Sequence, residues 1–398
     1  MSTNTLSTDE KARKDPFFGR MLDTDGHFYL EPPEYDQLFS ETLGPEGGGF
    51  VMEYVRKFVH SDEHKQAKAR NRKDLWEVKG LSALGAVDPH ERVEALDALG
   101  VKTQLVFPNS FGEEMRIDAP WAREACERYN DFAIDWSAAT GWRARGLCQI
   151  NMGDVEWACR EVDRVAKKGA KGLVLPCNRP PAGVSPSHAM WDPFWARIQE
   201  ADLTATIHLG GQGLLSGRDS DEMLPERGWG LSTALKNGPG QKPDIPIRAG
   251  GEEAISPYFM LVAHMAPELY LQTMVMGGVF ERFPRLRFGI IEFGAGWVGP
   301  AVERMDIWVD FQTKLGVRYD MRPSEYLARN VRVTPFWHED LTKMVDRFGL
   351  KEVYTYSTDY PHLEGSKDPI GKFRKWIDRM DPAYAEDFFV NNAQLLLP

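Results

Sequence analysis

Long apolar runs, paired metal-knuckle cysteines and the P-loop glycine signature are all missing from this 398-residue chain. No stretch approaches the roughly 18 apolar residues a membrane-spanning helix requires, so no membrane partner is expected. Acidic residues outnumber basic ones, 59 to 48, for a net charge of −11. A general nucleic-acid binder needs basic surface to neutralise phosphates, and that class is set aside. An acidic chain can still take an anionic small molecule, because an ion or a few arginines can dominate the field inside a pocket. The four cysteines (Cys126, Cys148, Cys159, Cys177) form neither a CxxC nor any other metal-knuckle spacing. They read as buried thiols of a reduced compartment, and with no signal-peptide core in the first sixteen residues the expectation is cytoplasmic. GxxxxGK[ST] follows no apolar run, which removes the P-loop nucleotide folds.

What is present is a rhythm of apolar runs and helical patterns. Residues 1–19 read as a disordered arm and 20–398 as one catalytic domain. Strands are expected at 20–26, 101–107, 144–151, 171–177, 203–209, 286–293, 331–336 and 352–359. Helical patterns follow at 88–100, 120–139, 153–168, 191–201, 257–280, 297–314, 339–348, 370–379 and 384–396. Eight apolar strands alternating with helices predict an α/β fold, a (β/α)8 TIM barrel with a parallel sheet covered on its outer face. Two long insertions interrupt the rhythm, 28–87 after the first strand and 210–252 after the fifth. The first carries a basic stretch that reads as a solvated helix, or as a lid bringing Arg56, Arg70 or Arg72 to an acidic substrate.

In such a barrel chemistry sits at the C-terminal ends of the strands. The first strand, MLDTDGH, places Asp23, Asp25 and His27 at intervals of two, hence on one face. The fifth ends in His208, the sixth in Glu292, and the eighth in Asp359 with His362 three residues on. A lone histidine at a strand end is more often a satisfied polar residue than a ligand. Four strands ending this way around one axis point to a mononuclear metal centre. One Zn2+-like or Mn2+-like ion held by imidazoles and carboxylates keeps a position open for water or substrate. Asn109 and Asn178, ending the second and fourth strands, and His264 and Trp337 are candidates for the substrate pocket. The 12 Trp and 21 Phe fit an aromatic or bulky apolar substrate.

The segments DTDGH, TIHLGG, GGVFERFPRLRFGIIEFGAGW and STDYPH resemble the amidohydrolase superfamily, more narrowly the branch typified by aminocarboxymuconate-semialdehyde decarboxylase. The resemblance covers most of 20–395 and implies a metal-dependent TIM-barrel enzyme, commonly with Zn2+ or Mn2+, that decarboxylates or hydrolyses. It implies His27, His208 and Asp359 as ligands, a tolerated carboxylate at Asp25, and Asp23 one step deeper. A homodimer is a further expectation of the family. Decarboxylases of this branch carry a histidine where this chain has Glu292, and a carboxylate is a poor proton donor at neutral pH unless desolvated. Hydrolysis is therefore the first expectation, with one divalent ion (zinc first, manganese the alternative). A water would be activated by the ion, with Glu292 or Asp359 as base and His362 assisting the leaving group. Non-oxidative decarboxylation of an aromatic or unsaturated acid is the alternative, and a metal-free binding scaffold the alternative of another class.

Overall fold

The computed structural model describes residues 12–29, 70–109, 118–177, 179–209, 261–363 and 365–397, with isolated positions 62, 66 and 115. Most of both insertions, including Arg56 and the whole of 210–252, lies outside the described residues.

Among the described residues, nine short strands pair in parallel. β1 (Met21–Asp23) and β2 (His27–Phe28) both pair with β3 (Val101–Pro108), which also pairs with β4 (Ala144–Gly146). A second sheet runs β5 (Cys148–Gln149), β6 (Gly172–Leu175), β7 (Thr204–His208), β8 (Arg287–Ile291), β9 (Val331–Val333) in that order. The two sheets are stitched by backbone bonds, Leu147 N–H to Val106 O (3.0 Å) on one side. On the other, residues 353–360 run between β9 and β1: Thr355 N–H donates to Val333 O (3.1 Å) and Thr24 N–H to Tyr356 O (3.1 Å). The last expected strand therefore exists as two isolated parallel bridges, Val333↔Tyr354 and Gly26↔Tyr360, rather than as a continuous ladder. Its ladder breaks where Asp359 takes φ 55°, a left-handed conformation that no regular strand holds.

The covering helices start and stop where local chemistry dictates. α1 (Pro89–Leu99) has Asp88 as N-cap, accepting from His90 and Glu91 N–H, proline at its first turn, and Gly100 at φ 71° closing it. α2 (Pro120–Ala139), α3 (Val155–Lys168) and α4 (Asp192–Glu200) follow as expected. The pattern read as one helix over 257–280 is α5 (Met265–Met276) and a separate turn α6 (Val279–Arg282), broken at Gly277-Gly278. α7 (Val298–Thr313) is followed by α8 (Pro323–Asn330), a helix the apolar periodicity did not reveal. Its signature was capping: Pro323 at the first position and Glu325 bonding back to the Arg322 N–H (2.7 Å). α9 (Leu341–Phe348) and α10 (Pro369–Ile377) precede a tail at 384–395 that mixes α, π and 3-10 turns.

Part of the expected disordered arm is packed. Phe17 is buried against Phe389 (centroids 5.4 Å), and Asp15 accepts from Arg374 Nε and Nη2 (2.8 and 3.0 Å). An aromatic pair at 17–18 beside a carboxylate was enough to dock the segment. All four cysteines are buried thiols, none of them in a disulfide.

Gly26 joins this frame to the site. A Cβ added there would overlap the Gln104 side-chain amide, which is itself held between Arg92 and Asp23. Gly26→Ala should lower the unfolding free energy by about 1–3 kcal/mol through overpacking, measured by urea or thermal melts. An unchanged transition would mean that Gln104 has room to move.

Candidate metal centre

Because every strand pair is parallel, the C-terminal ends of β1, β7 and β8 share one edge, and residues 24–27 and 356–360 are zipped together there. Asp359 N–H donates to Asp25 O (3.0 Å) and His27 N–H to Tyr360 O (2.8 Å). These bonds fix two sequence-distant segments side by side and aim Asp25, His27 and Asp359 at one point. His208 closes β7 and Glu292 follows β8, so both reach the same place from across the sheet.

His208 Nε2 lies 3.3 Å from Asp25 Oδ1 and 3.2 Å from Glu292 Oε2. His27 Nε2 lies 3.5 Å from Asp25 Oδ1, 3.4 Å from Asp359 Oδ1 and 4.0 Å from Glu292 Oε2. His362 Nδ1 stands 3.1 Å from Asp359 Oδ1, and its ring stacks on His27 at 3.5 Å. Two sets of side chains result, Asp25-His27-His208-Glu292 and His27-Glu292-Asp359-His362, each with ligand atoms within 4.8 Å of one another. Donors bonded to one ion at about 2.0–2.2 Å and subtending 90–110° stand about 3.0–3.5 Å apart. The observed separations are on that scale.

The polar atoms at the centre support the same reading. Both ring nitrogens of His27 and both carboxylate oxygens of Asp359 are buried from water with no aligned hydrogen bond among the described residues. Such groups are costly to leave unmatched. The His208 ring is oriented by its own backbone neighbour, since Nδ1 meets Leu209 O at 2.6 Å and Nε2 is left facing the carboxylates. Burial pushes the Asp25 and Asp359 carboxyls up, but the imidazoles outweigh it. His208 and His27 hold Asp25 below its ordinary range, and His362 and His27 hold Asp359 well below.

Asp23 lies beneath this set and holds it together. Its carboxylate accepts from the Thr358 hydroxyl (2.6 Å), Thr358 N–H (3.0 Å), Asp25 N–H (3.1 Å) and Gln104 Nε2 (2.7 Å). Burial pushes its carboxyl up to about 7 against the pull of these donors. Gln104 Oε1 accepts in turn from buried Arg92 (2.9 Å), which also donates to Gly85 O (2.7 Å) and to the His27 carbonyl. Gln104, Thr358 and Arg92 were missed in the sequence. The available signals were a glutamine inside the apolar run VKTQLVF and an arginine on the inward face of α1.

The remaining candidates sit elsewhere. Asn109 ends β3, its N–H on Phe28 O (3.1 Å), one strand from His27. Asn178 lies outside the described residues. His264 caps α5 and pairs with Glu268 (3.9 Å), so it joins neither ligand set. Trp337 is half-buried after β9, its carbonyl accepting from Trp376 Nε1 (2.9 Å) and its ring under Lys372 (4.2 Å). Arg72 is engaged with Glu91 and Glu94, and Arg70 with Glu77, all on the surface, so neither acts as a lid arginine here.

Carboxylates and imidazoles gathered at the C-terminal edge of parallel strands define an α/β enzyme whose chemistry is built on ionisable side chains. The family follows from comparison: the amidohydrolase model matches residues 23–398, and the chain belongs to that family. Gamma-resorcylate decarboxylase of Polaromonas sp. (strain JS666 / ATCC BAA-500) is 30% identical over 122 residues, covering 29% of this chain and 37% of that protein. An amidohydrolase from Mycobacterium avium subsp. paratuberculosis K-10 superposes with TM-score 0.64 at 19% identity, over 95% of this chain and 99% of that one. The 5-carboxyvanillate decarboxylase of Novosphingobium aromaticivorans DSM 12444, solved with manganese and 3-methoxy-4-hydroxy-5-nitrobenzoic acid, gives TM-score 0.59 at 19% identity over 96% and 97%. At these identities the solved structures speak for the fold.

Thr358→Val removes a hydroxyl donor from a buried carboxylate while keeping the side chain's shape. It should cost about 1.5–3 kcal/mol of stability, read from equilibrium unfolding. A variant as stable as the parent would show that Asp23 does not depend on this bond.

Proposed function

We propose that this chain is a metal-dependent, non-oxidative decarboxylase of a small aromatic or unsaturated carboxylic acid. The observation that carries the proposal is the convergence of Asp25, His27, His208 and Asp359, with Glu292, in two overlapping sets whose ligand atoms lie within 4.8 Å of one another. Relatives that decarboxylate aromatic acids, one of them solved with manganese, support this reaction over the hydrolysis that the sequence placed first. The scaffold is proposed as a closed (β/α)8 barrel in one catalytic domain, supported by the parallel pairing and by the 353–360 segment joining β9 to β1.

Asp25, His27, His208 and Asp359 would hold one divalent ion, manganese or zinc. When bound, that ion would supply Lewis acidity towards the substrate's carboxylate. The chain's side chains do the rest. The bond from the ring carbon to the carboxylate carbon breaks, its electron pair stays on the ring carbon, CO2 leaves, and one proton adds to that carbon. His362 Nδ1 and Asp359 Oδ1, 3.1 Å apart, form the pair that holds and delivers this proton. The Phe107 ring, 4.1 Å from His208, gives the site an aromatic wall. Hydrolysis would use the same side chains with Glu292 taking a proton from water, and the position of Glu292 beside both imidazoles is the observation that favours it. A metal-free scaffold would leave Asp25 and Asp359 buried with only imidazoles as ion-pair partners within 4.0 Å among the described residues.

Assayed on 2-hydroxybenzoic and unsaturated acids with added Mn2+ or Zn2+, the protein should release one CO2 per acid consumed. His208→Ala should lower turnover by at least 100-fold with the fold intact by circular dichroism. Water-derived product without CO2 would replace decarboxylation by hydrolysis.

The partner expected besides the substrate is a second copy of the chain. Among the described residues, eight of the nine large apolar side chains standing in solvent fall between Leu261 and Val317. Leu261, Met265 and Leu269 make one stripe, and Trp308, Phe311 and Leu315 another along and beyond α7, tied together by Arg304 and Glu268. Neighbouring charges are matched within the chain, Arg322 with Asp310 (2.9 Å) and Asp306 (3.7 Å). Exposed aromatic and aliphatic side chains gathered on one face are the material of a protein–protein interface. An apolar, charge-matched, aromatic-bearing face suits its own copy. Sedimentation should give a dimer, and Trp308→Glu with Phe311→Glu a folded monomer; a monomeric parent protein would contradict this.

A further inference from the structure

The cluster holds one carboxylate more than the four-residue set just described uses. We propose that Glu292 is itself a metal ligand, through Oε2, and that it tunes the site towards a hard, higher-coordinate cation of the Mn2+ class. This inference rests on the metal reading of the site and deepens it.

Three observations carry it. First, Glu292 Oε2 is the carboxylate atom that faces both imidazoles, 3.2 Å from His208 Nε2 and 4.0 Å from His27 Nε2. It also belongs to both ligand sets, a position it shares only with His27. A carboxylate whose ligand atom lies within 4.8 Å of donor atoms on Asp25, His27, His208, Asp359 and His362 is placed to share an ion with them. Second, the backbone is bent to put it there. Glu292 has φ 66°, a left-handed conformation that is unfavourable for a non-glycine residue and persists only when its surroundings enforce it. The enforcement is visible. Glu292 N–H donates to Thr334 Oγ1 (2.7 Å), and the turn that follows is pinned by Glu339, which accepts from Ala295 N–H (2.9 Å), Gly296 N–H (2.8 Å) and Phe336 N–H (2.7 Å). Asp359, on the opposite side of His27, shares this left-handed conformation at φ 55°. Third, the donor count suits a different ion from the one a four-donor site selects. Asp25, Glu292 and Asp359 with His27 and His208 make three carboxylates and two imidazoles. Tetrahedral zinc sites use four donors at most, whereas carboxylate oxygens and higher coordination suit Mn2+.

The chemical consequence is a reversal of sign between the metal-free and metal-loaded protein. Without a cation, Glu292 adds like charge to a buried group that already contains Asp25 and Asp359. With one, it contributes a bond.

The test titrates metal-free protein with Mn2+ alone and Zn2+ alone, by calorimetry and by the Mn2+ electron paramagnetic resonance signal. The parent, Glu292→Gln and Glu292→Asp are compared. The parent should bind one Mn2+. Glu292→Gln should weaken Mn2+ at least tenfold and Zn2+ by a smaller factor. Glu292→Asp, which keeps the charge but shortens the reach, should also lose Mn2+ affinity. The metal-free Glu292→Gln protein should melt above the metal-free parent and gain less on Mn2+ addition, an inversion that a misfolded variant cannot produce. Parent-like Mn2+ affinity in both variants would overturn the assignment of Glu292 while leaving the metal site standing. A parent protein that takes up neither ion would overturn the metal reading first and this inference with it.

Discussion

Buried negative charge around two imidazoles is the constraint on which this structure turns. Asp25, Glu292 and Asp359 are drawn to the same few ångströms beside His27 and His208, deep enough that water does not reach the central atoms. Isolated carboxylates in such a place are expensive, and a chain that assembles several of them must supply a compensating cation or accept a weakened fold. The left-handed backbone at Glu292 and Asp359 belongs to the same constraint, since local conformational preference yields there to the placement of a side chain.

The support beneath the cluster shows how a parallel fold holds such a site. Asp23 bonds to both Asp25 and Thr358, so one carboxylate fixes the segments that carry two of the central acids. Gln104 links it to Arg92, whose guanidinium, pulled down to about 10 by burial, stays charged at neutral pH and also touches the His27 carbonyl. Arg92 is further packed against the rings of Trp136 and Tyr360, at 5.6 and 5.5 Å. The cation is thus kept one residue away from the site, where it stabilises the scaffold without competing for the ligands.

Much of this was legible in the residues, for physical reasons. A strand's period of two put Asp23, Asp25 and His27 on one face, and an apolar run stopping at His208 or before Glu292 marked strand ends directly. Helices with a capping acid and a closing glycine, such as α1, were read within a residue or two. Patterns set by long-range partners were not readable. The 352–359 run looks like a strand but makes scattered backbone bonds and isolated bridges to the segments on either side instead of a continuous ladder. The packed arm at Phe17 and the Gln104–Arg92 relay depend on contacts hundreds or dozens of residues away. His264 and Trp337 were plausible by type, yet their partners are Glu268 and Trp376 respectively, contacts that composition cannot convey.

A single physical fact can support or sink this account: whether a cation occupies the gap between those side chains. Crystals grown with manganese and measured above and below its absorption edge would answer directly. The account predicts one strong anomalous peak at bonding distance from Asp25, His27, His208 and Asp359, with Glu292 as a further donor. No peak there, or a peak held only by surface carboxylates, would contradict it.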